Sequence, residues 1–144
     1  MHRRRGGGIY TYAPLAITST DFLSNTGEAY GGGLLSNRSG AITGGRFAGN
    51  RTTVAVPGAL IGGAGIYNDA GALVISGTAF VGNISAQQGG GLLMTDSGAA
   101  SFAIAHSSLM GNRADSGAGV EGAGAERAAR PECTAGRSEG LLAG

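Results

Sequence analysis

Acidic side chains are the first place to look for chemistry in this chain, because acid–base or metal-assisted cleavage of a polysaccharide needs carboxylates brought together. Five stand between residues 6 and 120: Asp21, Glu28, Asp69, Asp96 and Asp115. Asp21 directly precedes Phe22, and Arg46, Ala79 and Ser108 hold the same place before Phe47, Phe80 and Leu109, so no column of carboxylates forms there. Asp69 and Asp96 each stand two residues before a glycine, Gly71 and Gly98, in what reads as one turn repeated in neighbouring units. Side by side they would be close enough to share a cation such as Ca²⁺. Asp-x-Gly is also an ordinary turn sequence, and that plainer reading is preferred. The pair is kept as the metal candidate, with no metal, cofactor or catalytic residue expected.

Other signals of chemistry are thinner. His106 has only His2 as a second histidine, and no Gly-x-Ser-x-Gly elbow is present. Gly117-Ala118-Gly119-Val120-Glu121-Gly122 matches the dinucleotide-binding spacing without a strand–helix unit around it. The calcium nonapeptide pattern fails because Ile66 and Tyr67 follow Gly62–Gly65 before any aspartate. Asn37-Arg38-Ser39, Asn50-Arg51-Thr52 and Asn83-Ile84-Ser85 are glycosylation sequons, two of them products of a repeated asparagine. The chain is therefore expected not to be an enzyme.

Bulk composition narrows the fold. The 144 residues allow one domain. Glycine supplies 30 of them, about three times its usual ~7% share, with only 3 prolines and no Gly-X-Y period, which excludes collagen and a Pro/Gly linker. Apolar residues make up 42%, enough for a core. Net charge is +1 and 13% of residues are charged, so no nucleic-acid patch is expected. Residues 1–5, with His2-Arg3-Arg4-Arg5, read as a solvated basic tail. The single cysteine, Cys133, can form no disulfide within the chain. No apolar run reaches the ~18 residues of a transmembrane helix.

The organising feature is a repeat. Ile17-x4-Phe22-x2-Asn25 recurs as Ile42, Phe47, Asn50, then as Ile75, Phe80, Asn83, and finally as Ile104, Leu109, Asn112. Between copies come glycine clusters followed by apolar pairs: Gly6-Gly7-Gly8-Ile9-Tyr10, Gly31-Gly32-Gly33-Leu34-Leu35, Gly62-Gly63-Ala64-Gly65-Ile66-Tyr67 and Gly89-Gly90-Gly91-Leu92-Leu93, with a worn copy at Gly117–Val120. Phe22 to Phe47 is 25 residues, Phe47 to Phe80 is 33 and Phe80 to Leu109 is 29. The excess lies in an insertion around Thr52–Pro57 and in a second between Gly91 and Ile104. Loops are thus expected to stretch while strands do not.

Helices suit this pattern poorly, since each glycine costs about 1 kcal/mol against alanine in a helix interior. Short alternations such as Leu15-x-Ile17, Leu73-x-Ile75 and Phe102-x-Ile104 suit strands. A 25-residue unit is shorter than a βαβ crossover of ~30 residues. It fits one coil of three short strands and three turns, stacked on its neighbours at about 4.8 Å. The spacing predicts an all-β, right-handed parallel β-helix of about four coils over residues 6–120. Three interior columns follow: Ile17, Ile42, Ile75 and Ile104; Phe22, Phe47, Phe80 and Leu109; Ile9, Leu34, Ile66, Leu92 and Val120. The recurrent Asn25, Asn50, Asn83 and Asn112 have two available tasks, a left-handed backbone position or an amide ladder from coil to coil.

Gly-Gly-x-(Ile/Leu) followed by Phe-x2-Asn resembles the repeats of polymorphic outer-membrane proteins, bacterial surface proteins of autotransporter type. The stretch Gly62–Leu73 with Ile75 and Phe80-Val81-Gly82-Asn83 is also similar to right-handed β-helix repeat proteins more widely. The resemblance implies an exported, adhesin-like passenger at the cell surface, on the outer membrane or secreted, with a host-surface protein or glycan as partner. The alternative that β-helix kinship implies is the remnant of a polysaccharide-cleaving, pectate-lyase-like enzyme, with Asp69 and Asp96 in its site. No signal peptide, cap or membrane barrel is read in the chain, so a fragment is expected. Its open coil ends would be prone to self-association. The Thr52–Ile61 insertion is the candidate binding loop. Residues 121–144, with no Ile, Val or Phe, are expected to be a disordered tail.

Overall fold

The structure is a computed structural model that describes residues 7–59, 61–94, 100–117 and 119–121. The basic tail, Asp96 and the expected disordered segment beyond residue 121, including Cys133, lie outside these. The described residues form only strands, turns and bends, arranged as parallel sheets stacked into a β-solenoid of about three turns.

Three sheets run the length of the solenoid. The first stacks Ile9–Thr11, Leu34–Ser36, Ile66–Asn68, Leu92–Met94 and Val120–Glu121. The second stacks Leu15–Thr18, Gly40–Thr43, Gly71–Ser76 and Ala100–Ala105. The third stacks Asp21–Leu23, Arg46–Ala48, Ala79–Val81 and Ser108–Met110. Every pairing is parallel. A narrow fourth ladder, absent from the three-strand expectation, pairs Thr26–Gly27 with Arg51–Thr52 and continues as single bridges through Ile84 and Arg113.

Register aligns the residues of the three columns. Ile17 faces Ile42, Ile42 faces Ile75, and Ile75 faces Ile104. Phe22, Phe47, Phe80 and Leu109 align in the same way, as do Ile9, Leu34, Ile66, Leu92 and Val120. The phenyl rings stack nearly parallel, with centroids 4.5 Å apart for Phe22–Phe47 and 5.1 Å for Phe47–Phe80. That is close to the spacing of adjacent strands, so one ring per turn fills the column without a gap. Strand lengths do vary, however. The second sheet grows from four residues in its first two strands to six in its last two, because Gly71 and Ala72 pair with Ala100 and Ser101 ahead of the repeated register.

Two corners are made by left-handed residues, one per corner except at Gly44, where Gly45 is left-handed as well. Between the second and third sheets these are Ser19, Gly44, Gly77 and His106; between the third sheet and the asparagine they are Ser24, Gly49, Gly82 and Gly111. His106 is thus an exposed corner residue in a column otherwise of Ser and Gly. The left-handed task falls to the residue before each asparagine, and no asparagine has positive φ among the described residues. Of the two tasks open to Asn25, Asn50, Asn83 and Asn112, the amide ladder is the one performed.

That ladder is saturated. Asn83 Oδ1 accepts from both the backbone N–H and Nδ2 of Asn50, each at 3.0 Å. Asn83 Nδ2 donates to Asn112 Oδ1 at 2.9 Å and to the Phe47 carbonyl at 2.8 Å. Asn50 repeats the pattern toward Asn25 and the Phe22 carbonyl, and Asn112 Nδ2 reaches the Phe80 carbonyl. Asn50 and Asn83 are fully buried, so every donor and acceptor of their amides must find a protein partner.

Replacing Asn83 by alanine strands at least two buried polar groups on Asn50 and Phe47, each worth about 1–3 kcal/mol. Chemical denaturation should therefore show Asn83→Ala less stable by about 3 kcal/mol or more. Asn25→Ala, at the half-buried end of the ladder, should cost about 1 kcal/mol. Equal losses at the two positions would show that the ladder is not what stabilises the stack.

Candidate functional site

Side chains alternate across a strand, so the residue after each interior one in the first sheet points outward. These outward residues are Tyr10, Leu35, Tyr67 and Leu93, aligned by register. Outward placement on a solenoid normally means exposure, yet Leu35, Tyr67 and Leu93 are buried and form a second apolar cluster, with Tyr30 packed against it. Tyr30 comes from the turn just before the next glycine cluster, where it bridges to Gly62. Its ring meets that of Tyr67 edge to face, centroids 4.8 Å apart.

Past the end of each strand in this sheet, the next column holds Tyr12, Asn37 and Asp69, one residue beyond the paired Thr11, Ser36 and Asn68. Tyr12 packs edge to face on Tyr10 at 4.9 Å, and their hydroxyls are hydrogen-bonded. Together the two columns line a hollow of about 150 Å³. All four tyrosines of the chain stand in its wall, with Leu35, Asn37 and Asp69. Asn37 is held by its backbone, whose N–H donates to the Thr11 carbonyl at 3.1 Å and whose carbonyl accepts from Arg38 Nη1 at 3.0 Å. Its side chain is 94% buried and its Oδ1 has no hydrogen-bond partner, a cost of about 1–3 kcal/mol. Among the described residues, no Lys, Arg or His lines the hollow.

The expected acidic pair is only half represented. Asp69 is in the wall of the hollow, while Asp96 lies outside the described residues. Gly71 pairs with Ala100, and five residues separate Met94 from Ala100 where two separate Asn68 from Gly71. Asp21 is bound to the basic residue beside it, with Arg46 Nε 3.0 Å from its Oδ2. Both side chains are about half exposed, so the pair contributes little, about 0–1 kcal/mol. No group of three His, Cys, Asp or Glu is close enough to hold a metal among the described residues.

The candidate loop at Thr52–Ile61 is tied down at its start by the Thr53 and Val54 N–H groups, which donate to the Glu28 carbonyl at 3.0 and 2.8 Å, and at its turn by one side chain. Thr52 is buried, its hydroxyl 3.0 Å from that of Ser85, and Ile61 is fully buried at the other end. Between them Ala59 N–H closes a turn on the Val56 carbonyl, with Pro57 and Gly58 exposed at the tip. The Gln87 amide clasps both sides of this turn, accepting from Val56 N–H at 2.7 Å and donating to the Ala59 carbonyl at 2.6 Å.

The tyrosine hollow was not read from the repeat, although its signal is present. Each glycine cluster is followed by two adjacent apolar residues, and a strand must put them on opposite faces. Removing the clasp should loosen the loop and little else. Gln87→Ala is expected to lose about 1–2 kcal/mol and to become open to limited proteolysis between residues 53 and 59. An unchanged digestion pattern would show that the turn holds without it. Comparison with known proteins finds no match: neither a protein-family model, nor a curated protein, nor a solved structure aligns significantly with this chain.

Proposed function

We propose that the chain is a stretch of right-handed parallel β-helix, about four coils long, that works without catalysis as an adhesin-like scaffold at the cell surface, outer membrane or in secreted form. Right-handedness follows from the preference of crossovers between parallel neighbouring strands. Four coils follow if the return to Val120–Glu121 is counted as closing the last. The observation that carries the functional reading is the division of labour between faces. Inward residues are committed to stacking columns, whereas the outer face of the first sheet gathers every tyrosine of the chain into one hollow. A rigid rod with a recessed aromatic patch and a clasped loop is built for display and binding. The partner in this reading is a host-surface protein or glycan, in the manner of polymorphic outer-membrane protein passengers.

The competing reading, a remnant of a polysaccharide-cleaving enzyme, draws on the position of Asp69 in the hollow. The two separate cleanly. The chain should bind cells or immobilised surface glycans saturably and release no product from acidic polysaccharides, with or without Ca²⁺. Turnover that disappears in Asp69→Ala would replace the scaffold by the enzyme.

Association is the second consequence. The strands Ile9–Thr11, Leu15–Thr18 and Asp21–Leu23 are edge strands among the described residues, and Ile9 and Leu23 are 40% and 49% exposed. Unpaired edges with apolar side chains template pairing with another copy. Light scattering of the isolated chain should show oligomers that grow with concentration, and a dilute monodisperse monomer would count against open ends.

A further inference from the structure

The hollow on the outer face selects one kind of occupant by its shape and its signs. Its four tyrosines do not form a flat platform. They come as two edge-to-face pairs, Tyr10 with Tyr12 and Tyr30 with Tyr67, each with its rings inclined at 66°. Such pairs make steeply angled walls instead of the single open ring face on which a sugar stacks. Among the described residues, the charged group in the wall is the Asp69 carboxylate, and no basic side chain lines the hollow. Ring faces carry negative potential, so walls and carboxylate favour the same sign of ligand. At about 150 Å³ the space matches a cavity that admits a benzene-sized group, and it is below the ~300 Å³ at which sites for larger ligands begin.

We propose that this hollow is an aromatic cage for an N-methylated ammonium group, a choline-like head. Tyrosine faces hold such a cation through the ring quadrupole, and a methylated ammonium is bulky, weakly hydrated and in no need of hydrogen-bond acceptors. Asp69 supplies the balancing charge from the rim. This deepens the reading of the outer face as the binding face and rests on it. The head has two natural sources, a free small molecule or a phospholipid surface.

The chain offers an unusually clean readout. It has no tryptophan and only these four tyrosines, so its intrinsic fluorescence reports on the hollow alone. The full chain is titrated with choline chloride, against sodium chloride, glucose, and the uncharged isostere in which carbon replaces the quaternary nitrogen. Choline should change the tyrosine emission saturably, with the isostere at least about tenfold weaker. Asp69→Asn, at an exposed position, should keep the circular dichroism of the parent and weaken choline binding by about tenfold. Tyr12→Leu, also exposed, should weaken it further. Co-sedimentation with phosphatidylcholine vesicles then separates the sources: binding to vesicles and to free choline points to a membrane head, and binding to free choline alone points to a soluble ligand. Equal response to choline and its isostere, or saturation by glucose in place of choline, overturns the cage. Cell or glycan binding that survives Asp69→Asn and Tyr12→Leu would leave the scaffold reading standing while the cage falls.

Discussion

Everything in this fold depends on each turn of chain lying in register on the next. The layers of this parallel stack are joined only through the chain that runs from one to the next, and no helix among the described residues braces them. What holds register is a set of contacts that work only at zero offset. The buried Asn50 and Asn83 amides are the most demanding of them, because both lone pairs and both N–H bonds of each are already spent on adjacent turns. A slip of one residue would turn the columns inside out and leave a row of buried amides unpaired. Apolar columns favour the stack but tolerate exchange, as Leu109 in the phenylalanine column shows. The asparagine column tolerates none.

The glycine clusters are the complement of that constraint. Gly33 is needed because a methyl group there would come within 2.7 Å of the Gly65 carbonyl and 2.8 Å of the Phe47 ring. The same close approach recurs at Gly65 against Gly91. Two residues before this point, Gly63 and Gly89 provide positive φ instead. One cluster therefore does two separate jobs, a left-handed bend and then a close approach. Ala64 holds the middle position in one copy, whereas in the copy before it a methyl group on Gly32 would collide with the Ala64 carbonyl and come within 2.6 Å of the Arg51 carbonyl. Through the corner the backbone bonds continue unbroken, Gly63 to Gln88, Ala64 to Gly89 and Gly65 to Gly90, so the bend costs the ladder nothing.

Much of this was legible in the sequence, for a physical reason. A column is a repeated demand on one residue type, so Ile, Phe and Asn recur at one spacing and the register can be read by aligning the chain with itself. The departures occurred where no such demand operates. The lengthened strands Gly71–Ser76 and Ala100–Ala105 arise from residues that precede the repeated core. Asparagine was credited with a left-handed option that Ser24, Gly49, Gly82 and Gly111 in fact take. The hollow was missed because its makers come from different columns: Tyr30 from a turn, Tyr10 and Tyr67 from outward strand positions, Tyr12 and Asn37 from beyond the strand ends. Their convergence is a property of stacking, not of any motif.

That last point bears on how such a scaffold acquires function. Interior positions are bound to apolar side chains or asparagine by the turns above and below, so they cannot take polar or charged residues independently. Outward positions in the first sheet carry no such restriction, and here they alternate tyrosine with leucine: Tyr10, Leu35, Tyr67, Leu93. Large rings on alternate turns stand apart with a leucine floor between them, and a recess results without any insertion. Adding Tyr12 and Tyr30 from the flanking positions closes its sides, and Asp69 sets its sign. Binding chemistry is thus written in the residues the fold leaves free, which is why the hollow can be altered at Asp69 or Tyr12 without touching a single column of the core.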